Sequence, residues 1–128
     1  MAGVSKGAIG EVLAARFLRD KKYDILASNY RCRFGEIDII ASDDSYIAFV
    51  EVKTRRVDAM YTPREAVGVA KQRRILQTAA VYLSRNPIKR QPRFDVIEVV
   101  TAADDPMHVV ELNHIIGAYE AGDLHTAF

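Results

Sequence analysis

The spacing of hydrophobic residues changes several times along the chain, and each change predicts a different element. From Ala8 to Lys22 apolar residues recur every three to four positions, which is typical of an amphipathic helix. Gly7 and Gly10 lie at its beginning. Because glycine weakens a helix, we expect this end of the helix to approach the sheet closely. The stretch Tyr23–Tyr30 follows as a weaker first strand.

Two runs rich in β-branched and aromatic residues, Glu36–Ala41 and Tyr46–Lys53, predict a hairpin. The residues between them, Ser42–Ser45, are all serine or aspartate, which favour turns. A turn centred between Asp44 and Ser45 fixes the register in which the two strands pair. These two strands are the clearest elements in the sequence.

In this register the hairpin brings four ionisable residues to one face of the sheet. Asp38 lies opposite Glu51, and Glu36 lies opposite Lys53. Residues two apart on a strand share a face, so Glu51 and Lys53 point to the same side. Four apolar residues are expected to point the other way, into the core: Ile37, Ile39, Val50 and Val52.

The rest of the chain predicts a second helix and two more strands. Thr62–Glu65 fits a capping box with proline at the first helical position. We therefore expect a helix from there to Asn86–Pro87, with a break at Gly68. Arg93–Val100 alternates as a fourth strand, and the long connection before it favours parallel pairing with the third. Val109–Leu112 is a short fifth strand.

The order αβββαββ predicts an α/β fold in which helices flank a mixed β-sheet. The chain has 128 residues, of which 49% are hydrophobic and 27% charged. We expect one soluble domain over residues 1–119 and a C-terminal tail over 120–128, with irregular or helical structure beyond Gly117. Charged residues interrupt the apolar residues of the N-terminus, so we expect no secretory signal, no membrane span and a cytoplasmic location.

Basic and acidic residues are segregated along the chain. All 18 Lys and Arg residues lie at or before Arg93, and the same stretch has 10 acidic residues, which leaves a net charge of +8. From Phe94 onward there are 7 acidic residues and no Lys or Arg. This pattern indicates a basic face suited to a polyanion, although two separate solvated faces would give the same segregation.

The pairing of Asp38 with Glu51 points to a bound divalent cation. Like charges directly opposite each other destabilise a sheet and raise the pKa of one group, so folding alone gives no reason for the pair. Cys32 is the only cysteine and the three histidines are scattered, so any metal must be held by oxygen. Mg²⁺ or Mn²⁺ is the predicted ion. Lys53 would stabilise the charge on a phosphoryl oxygen beside it.

These residues resemble a known nuclease pattern. Asp38, followed after a gap by Glu51-Val52-Lys53, is similar to the D…(D/E)xK core of the restriction-endonuclease-like superfamily. More narrowly, the chain resembles the YraN-like family of small bacterial proteins over about residues 3–119, a family that is itself similar to archaeal Holliday-junction resolvases. The segments that carry this resemblance are Gly10-Glu11, GEID at 35–38, FVEVKTR at 49–55, the helix with Lys71, and RFD at 93–95.

The resemblance implies a restriction-endonuclease-like fold and assigns roles to residues of the site. The catalytic residues would be Asp38, Glu51 and Lys53. The metal ligands would be Asp38, Glu51, the carbonyl of Val52, and Glu11, which the first helix would bring to the metal. Two further residues, Glu36 and Gln72, would surround these groups. From the residues alone, Glu36 could equally form a surface ion pair with Lys53.

The arginines of the basic stretch are suited to contact phosphates, although a merely solvated face would also contain them. The residues expected to contact the nucleic-acid backbone are Arg31, Arg33, Arg55, Arg56, Lys71, Arg73 and Arg74.

The function implied by the resemblance is a Mg²⁺- or Mn²⁺-dependent endonuclease that hydrolyses phosphodiester bonds in structured or branched DNA. A homodimer is implied as well, because paired subunits cut symmetric junctions in the similar resolvases. The alternative is a nucleic-acid-binding module that keeps the nuclease fold but has weak or no cleavage activity. The presence of all the predicted metal ligands is compatible with catalysis but does not identify a substrate. The sequence therefore leaves open the choice between an endonuclease and a binding module, and between DNA and RNA.

Overall fold

The computed structural model describes residues 6–59 and 67–120, and its elements follow the predicted order αβββαββ. In chain order they are α1 (Lys6–Asp20), β1 (Asp24–Cys32), β2 (Gly35–Ser42), β3 (Tyr46–Arg56), α2 (Val69–Arg85), β4 (Gln91–Thr101) and β5 (Val109–Tyr119). The predicted α/β class is confirmed. Within the described residues, neither helix has the length and apolar character needed to cross a membrane.

The five strands form one mixed sheet whose spatial order follows the chain, β1-β2-β3-β4-β5. β3 and β4 run parallel, as the long connection between them predicted, and the other neighbours are antiparallel. The predicted hairpin register is confirmed as well, because Ile39 pairs with Val50 and Ala41 pairs with Ala48. The short turn between β2 and β3 therefore determines which of their residues face each other.

One helix covers each face of the sheet. Ala14 and Leu18 of α1 pack with Ile39 and Val50 on the first face. On the second face, apolar residues of α2 pack against aromatic side chains of the sheet. They are Ile75, Leu76, Ala79 and Tyr82 from the helix, with Phe49, Phe94 and Tyr119 from the strands. Burial of apolar surface on both faces stabilises the central strands β2 and β3, which carry the predicted site.

Strand β2 changes its orientation at Asp38. Ile37 packs in the core beneath α2, whereas Ile39 packs on the side of α1. Regular alternation would send both residues to one face, so the prediction that Ile37 shares a face with Ile39 is wrong. On β1, between the residues that pair with these two, Asn29 adopts a left-handed conformation with φ of 53°. This irregularity frees Asp38 from the alternation of a regular strand.

The beginning of α2 agrees with one of two expectations. Gly68 has extended backbone and α2 begins at Val69, so the chain is not helical at the position where the break was expected. The predicted capping box, Thr62–Glu65, lies outside the described residues. Because α2 begins at Val69, Lys71 stands in the first turn of this helix.

Strand β5 is longer than predicted. It continues to Tyr119 instead of ending at Leu112, so the expected irregular or helical segment beyond Gly117 is wrong for residues 118–119. Gly117 has φ of 61° where the register with β4 shifts, and its N–H donates to Asp95 Oδ1 at 3.0 Å. Glycine tolerates this positive φ at the register shift, so β5 continues where another residue would have ended the strand. Of the predicted tail, residues 121–128 lie outside the described part of the chain.

The close approach expected at the first helix occurs at one of its two glycines. A Cβ at Gly10 would lie 2.8 Å from Thr54 Oγ1 of β3, so a larger residue would push the helix away from the sheet. At Gly7 no residue that the structure describes lies within 4 Å of such an atom, so the close approach to the sheet does not extend to this glycine. Glu11 follows Gly10 and is thereby held next to the sheet.

Candidate functional site

The carboxylate of Asp38 lies where β2 and β3 stop pairing. The last pair in this direction is Ile39 with Val50, so the backbone N–H of Val52 has no β2 carbonyl opposite it. Asp38 Oδ2 accepts a hydrogen bond from that N–H at 2.8 Å. The side chain thus replaces a main-chain acceptor and is fixed between the two strands.

Glu51 lies beside Asp38, as the hairpin register predicted. Its side chain is only 6% exposed, and its carboxyl group is within hydrogen-bonding reach of Asp38. Burial, followed by the charge of Asp38, raises the pKa of Glu51 to about 7. Burial also raises the pKa of Asp38. The fold therefore holds two carboxyl groups where a full negative charge on both is unfavourable.

Lys71 provides the main positive charge at this pair. Its Nζ lies 2.5 Å from Glu51 Oε1, and its side chain is 37% exposed. Burial opposes the charge on Lys71, but the hydrogen bond and charge of Glu51 outweigh it and raise the pKa of the lysine. Lys53 lies next to Lys71 and lowers the pKa of Glu51 through its charge. Two lysines from different elements therefore surround two carboxylates.

These groups border a cleft of about 200 Å³. Asp38, Glu51 and Lys71 line it together with Gly35, Glu36, Arg74 and Ile75. Glu36 is adjacent to the site, but its partner is not the predicted Lys53. Arg31 Nε donates to Glu36 Oε2 at 2.8 Å, because β1 places Arg31 directly opposite Glu36.

Glu11 lies near Asp38 but in a different cleft. A second depression of about 320 Å³ is lined by Glu11, Asn29 and Asp38, among other residues. Burial, and then the charge of Asp38, raises the pKa of Glu11. Among residues 6–59 and 67–120, no three carboxylate, histidine or cysteine side chains converge as a metal-binding group. The structure therefore brings Asp38 and Glu51 together and leaves Glu11 on the other side of Asp38.

Gln72 does not face the predicted site. Its side chain is buried, and its Nε2 donates to the backbone carbonyl of Val67 at 2.7 Å. The expectation that Gln72 surrounds the ligands is therefore wrong, because it stabilises the segment that leads into α2. Lys71, its neighbour in sequence, occupies the position next to the carboxylates instead.

The predicted basic contacts divide into exposed and internally paired residues. Arg31, Arg33, Arg73 and Arg74 are exposed, and Arg74 also lines the cleft of the carboxylates. Arg55 differs, since its Nε lies 2.8 Å from Glu98 Oε2 and its side chain is largely buried. Arg56 is exposed and pairs with Asp58 at 2.8 Å. The exposed arginines of β1, its turn and α2 thus remain the best candidates for contacts with a polyanion.

Sequence analysis missed the role of Glu98. This glutamate is 1% exposed and lies opposite Lys53 in the parallel pairing of β3 and β4. Asn113 Nδ2 donates to its Oε1 at 3.1 Å, and Arg55 is close to its other oxygen. Strand alternation places Glu98 on the same face as the apolar Phe94 and Val96. This spacing could have predicted a buried glutamate that needs partners.

Another buried carboxylate lies on the α1 side of the sheet, where Asp95 of β4 pairs in register with Val50 of β3. Asp95 is fully buried and is contacted by His114 Nε2 at 2.7 Å and Arg93 Nη2 at 2.8 Å. Arg93 also donates to the hydroxyl of Tyr23 at 2.6 Å. Burial opposes the charge of Asp95, but the hydrogen bonds from His114 and Arg93 prevail and lower its pKa. In this way RFD ties β4 to β5 and to Tyr23, the residue before β1, and it does not line the carboxylate cleft.

Comparison with known proteins finds one family over most of the chain. Residues 10–99 match the model of "Uncharacterised protein family UPF0102". A UPF0102 protein of Caldanaerobacter subterraneus subsp. tengcongensis is 43% identical over 114 residues, which cover 88% of this chain and 93% of the relative. One from Nocardia farcinica is 47% identical over 110 residues, which cover 85% of this chain and 84% of the relative. One from Symbiobacterium thermophilum is 50% identical over 99 residues, which cover 77% of this chain and 84% of the relative.

Proposed function

We propose that this chain, which belongs to the UPF0102 family, also known as the YraN family, is an endonuclease that uses Mg²⁺ or Mn²⁺ to hydrolyse phosphodiester bonds in structured or branched DNA. The observation that carries the proposal is the pair of carboxyl groups in one cleft, half-buried Asp38 and buried Glu51. Their proximity costs free energy in the folded protein, as the raised pKa of Glu51, about 7, indicates. A divalent cation between them would offset that cost.

The donor set suits a hard cation. Asp38 and Glu51 offer carboxylate oxygens, and the described residues that line their cleft include no histidine or cysteine. Asp38 is held by the N–H of Val52, so one ligand is already oriented by the backbone. By resemblance to the superfamily, the carbonyl of Val52 would be the third ligand. When bound, the ion would neutralise phosphoryl oxygens and lower the pKa of a water molecule.

The chain's own residues would bind and orient the phosphate. Lys53 shares a strand face with Glu51 and can donate a hydrogen bond to a phosphoryl oxygen as negative charge develops there. Arg74 lines the same cleft, and the exposed Arg73 follows Lys71 along α2. These cations would hold the nucleic-acid backbone through its phosphates, which fixes position without reading sequence.

One observation favours a second function, that of a nucleic-acid-binding module without cleavage. Lys71 already balances the charge of Glu51 in the metal-free protein, so the pair has a structural partner. In that case the exposed arginines would bind the backbone and the carboxylates would have no catalytic role. The two functions differ in whether Mn²⁺ binds and whether any phosphodiester bond breaks.

A cleavage assay tests the proposal. Purified protein would be incubated with Mg²⁺, with Mn²⁺ or with a chelator, on a four-way DNA junction, linear duplex of equal length, single-stranded DNA and the matching RNAs. We expect metal-dependent cleavage that favours the branched DNA and is lost in Asp38→Asn, which keeps the acceptor for Val52 N–H. Binding to all substrates without metal-dependent cleavage of any would support the binding module instead.

A further inference from the structure

We propose that Lys71 is a built-in competitor of the divalent cation: it neutralises Glu51 when no metal is bound and moves to a phosphate of the nucleic acid when the metal binds. This inference rests on the proposed function, because it requires a metal site at Asp38 and Glu51. It makes Lys71 the residue that couples metal binding to substrate binding. The sequence had predicted Lys71 only as one of the contacts to the nucleic-acid backbone.

The position of the ammonium group carries the first part. Lys71 Nζ contacts Glu51 Oε1 at 2.5 Å and is close enough to Asp38 for their charges to interact. The oxygen atoms of both carboxylates are the ligands that a divalent cation would need. A metal on these oxygens and the ammonium group of Lys71 would repel each other, because like charges so close together in a partly buried cleft interact strongly. We therefore expect metal binding to displace Lys71 from Glu51.

The attachment of Lys71 makes this displacement feasible. The residue stands in the first turn of α2, and its side chain is 37% exposed although Glu51 is only 6% exposed. A lysine has a flexible four-carbon stem, so its ammonium group can leave Glu51 for the open side of the cleft while the helix stays in place. Lys53 lies next to Lys71, and the repulsion between these two positive charges favours the departure of Lys71 from the cleft.

The surroundings indicate where the displaced ammonium group would go. Arg74 lines the same cleft, and Arg73 is exposed on the same helix. With Asp38 and Glu51 occupied by metal and Glu36 already paired with Arg31, a backbone phosphate would supply the anion that Lys71 has lost. Metal and nucleic acid should therefore raise each other's affinity. This coupling must be reciprocal, because it is a property of binding free energies.

The test measures Mn²⁺ affinity directly, by calorimetry and by the loss of the free-Mn²⁺ electron paramagnetic resonance signal, so that cleavage is not the only readout. Wild type, Lys71→Met and Arg85→Met are compared, each with and without linear duplex DNA. Methionine keeps much of the length of lysine and removes the charge. Arg85→Met is the control, because it removes an exposed charge from the last turn of the same helix, outside the proposed site.

Without DNA, we expect Lys71→Met to bind Mn²⁺ more tightly than wild type by about 5- to 150-fold, the usual range for coupled sites. Arg85→Met should bind it as wild type does. DNA should raise the Mn²⁺ affinity of wild type and of Arg85→Met but leave that of Lys71→Met nearly unchanged. Thermal unfolding of each variant without metal checks that the fold is intact.

Three outcomes would overturn the inference, and they are distinguishable from each other. Equal or weaker Mn²⁺ binding by the folded Lys71→Met variant would show that the lysine does not compete, while the metal site itself would stand. An equal gain in Arg85→Met would show that the effect comes only from the overall charge of the surface. If neither wild type nor Lys71→Met binds Mn²⁺, the proposed metal site fails and this inference fails with it.

Discussion

The carboxylate of Asp38 accepts a hydrogen bond from the backbone N–H of Val52, 2.8 Å away, at the point where their two strands stop pairing. The contact gives Asp38 a structural task besides any chemical one. It also fixes the carboxylate next to Glu51, on the strand that carries Lys53. Substitutions at Asp38 can therefore separate the two tasks.

Asp38→Asn and Asp38→Ala should differ in stability and agree in metal binding. Asparagine keeps an oxygen acceptor for Val52 N–H, whereas alanine leaves that N–H unpaired, which costs about 1–3 kcal/mol. Both variants lose a charged ligand and should lose the rise in melting temperature that Mn²⁺ gives wild type. Urea unfolding and thermal melts with and without Mn²⁺ measure both effects. A Mn²⁺ shift of wild-type size in Asp38→Asn would argue against a role for this carboxylate as ligand.

Glu51→Gln should make the metal-free protein more stable at alkaline pH. The pKa of Glu51 is raised to about 7 by burial and by Asp38, so the folded state binds this proton more tightly than the unfolded state. The resulting stabilisation is present below the unfolded value near 4.5 and is lost as the pH rises through about 7. Glutamine stays neutral and avoids this loss.

The measurement is the urea unfolding free energy of wild type and Glu51→Gln between pH 5 and pH 8 with a chelator present. The variant should gain relative to wild type as the pH rises, and added Mn²⁺ should stabilise wild type alone. Parallel curves for the two proteins would mean that Glu51 does not titrate in this range.

Lys53→Ala should separate catalysis from metal binding. Removing one preorganised donor to the phosphate should lower cleavage of a four-way junction by about 10²- to 10³-fold. Mn²⁺ affinity should stay the same or rise slightly, because a positive charge next to Glu51 is removed. Single-turnover cleavage and calorimetry provide the two readouts. Cleavage at the wild-type rate would remove this role from Lys53 while leaving the nuclease itself in place.

The exposed arginines of α2 should determine the salt dependence of DNA binding. Each neutralised phosphate adds about 0.9 to the slope of log affinity against log salt on duplex DNA. Replacing Arg73 and Arg74 by alanine should make this slope shallower. Arg55→Ala is the contrast, because Arg55 is paired with buried Glu98 and its loss should lower stability more than it changes the slope. Salt-independent binding by wild type would identify the arginines as a solvated face.

Asp95→Asn should destabilise the fold without touching the proposed metal site. The hydrogen bonds from His114 and Arg93 lower the pKa of Asp95, so its stabilisation is present above the unfolded value of 3.8 and is lost as the pH falls through the lower folded value. Breaking a buried ion pair costs about 3–5 kcal/mol. Urea unfolding at neutral pH measures the loss, and Asp58→Asn, in an exposed pair, should cost under about 1 kcal/mol.

The sequence by itself determined the hairpin and the pairing of its carboxylates. Strand alternation has a period of two and the four-residue turn is short, so local residues alone place Asp38 opposite Glu51. The parallel pairing of β3 with β4 followed in the same way from the length of the connection between them. The sequence also predicted the close approach of α1 to the sheet at Gly10, because a glycine inside a helix is destabilising unless close packing requires it.

Only the tertiary structure decided which charges neutralise those carboxylates. Lys71 reaches Glu51 from α2, Arg31 instead of Lys53 pairs with Glu36, and Arg55 turns to Glu98. The turn of β2 at Asp38, which sends Ile37 beneath α2, was likewise invisible in a regular alternation. The physical reason is the same in each case. A long charged side chain can reach several partners, and its choice depends on how distant elements pack, which local periodicity does not encode.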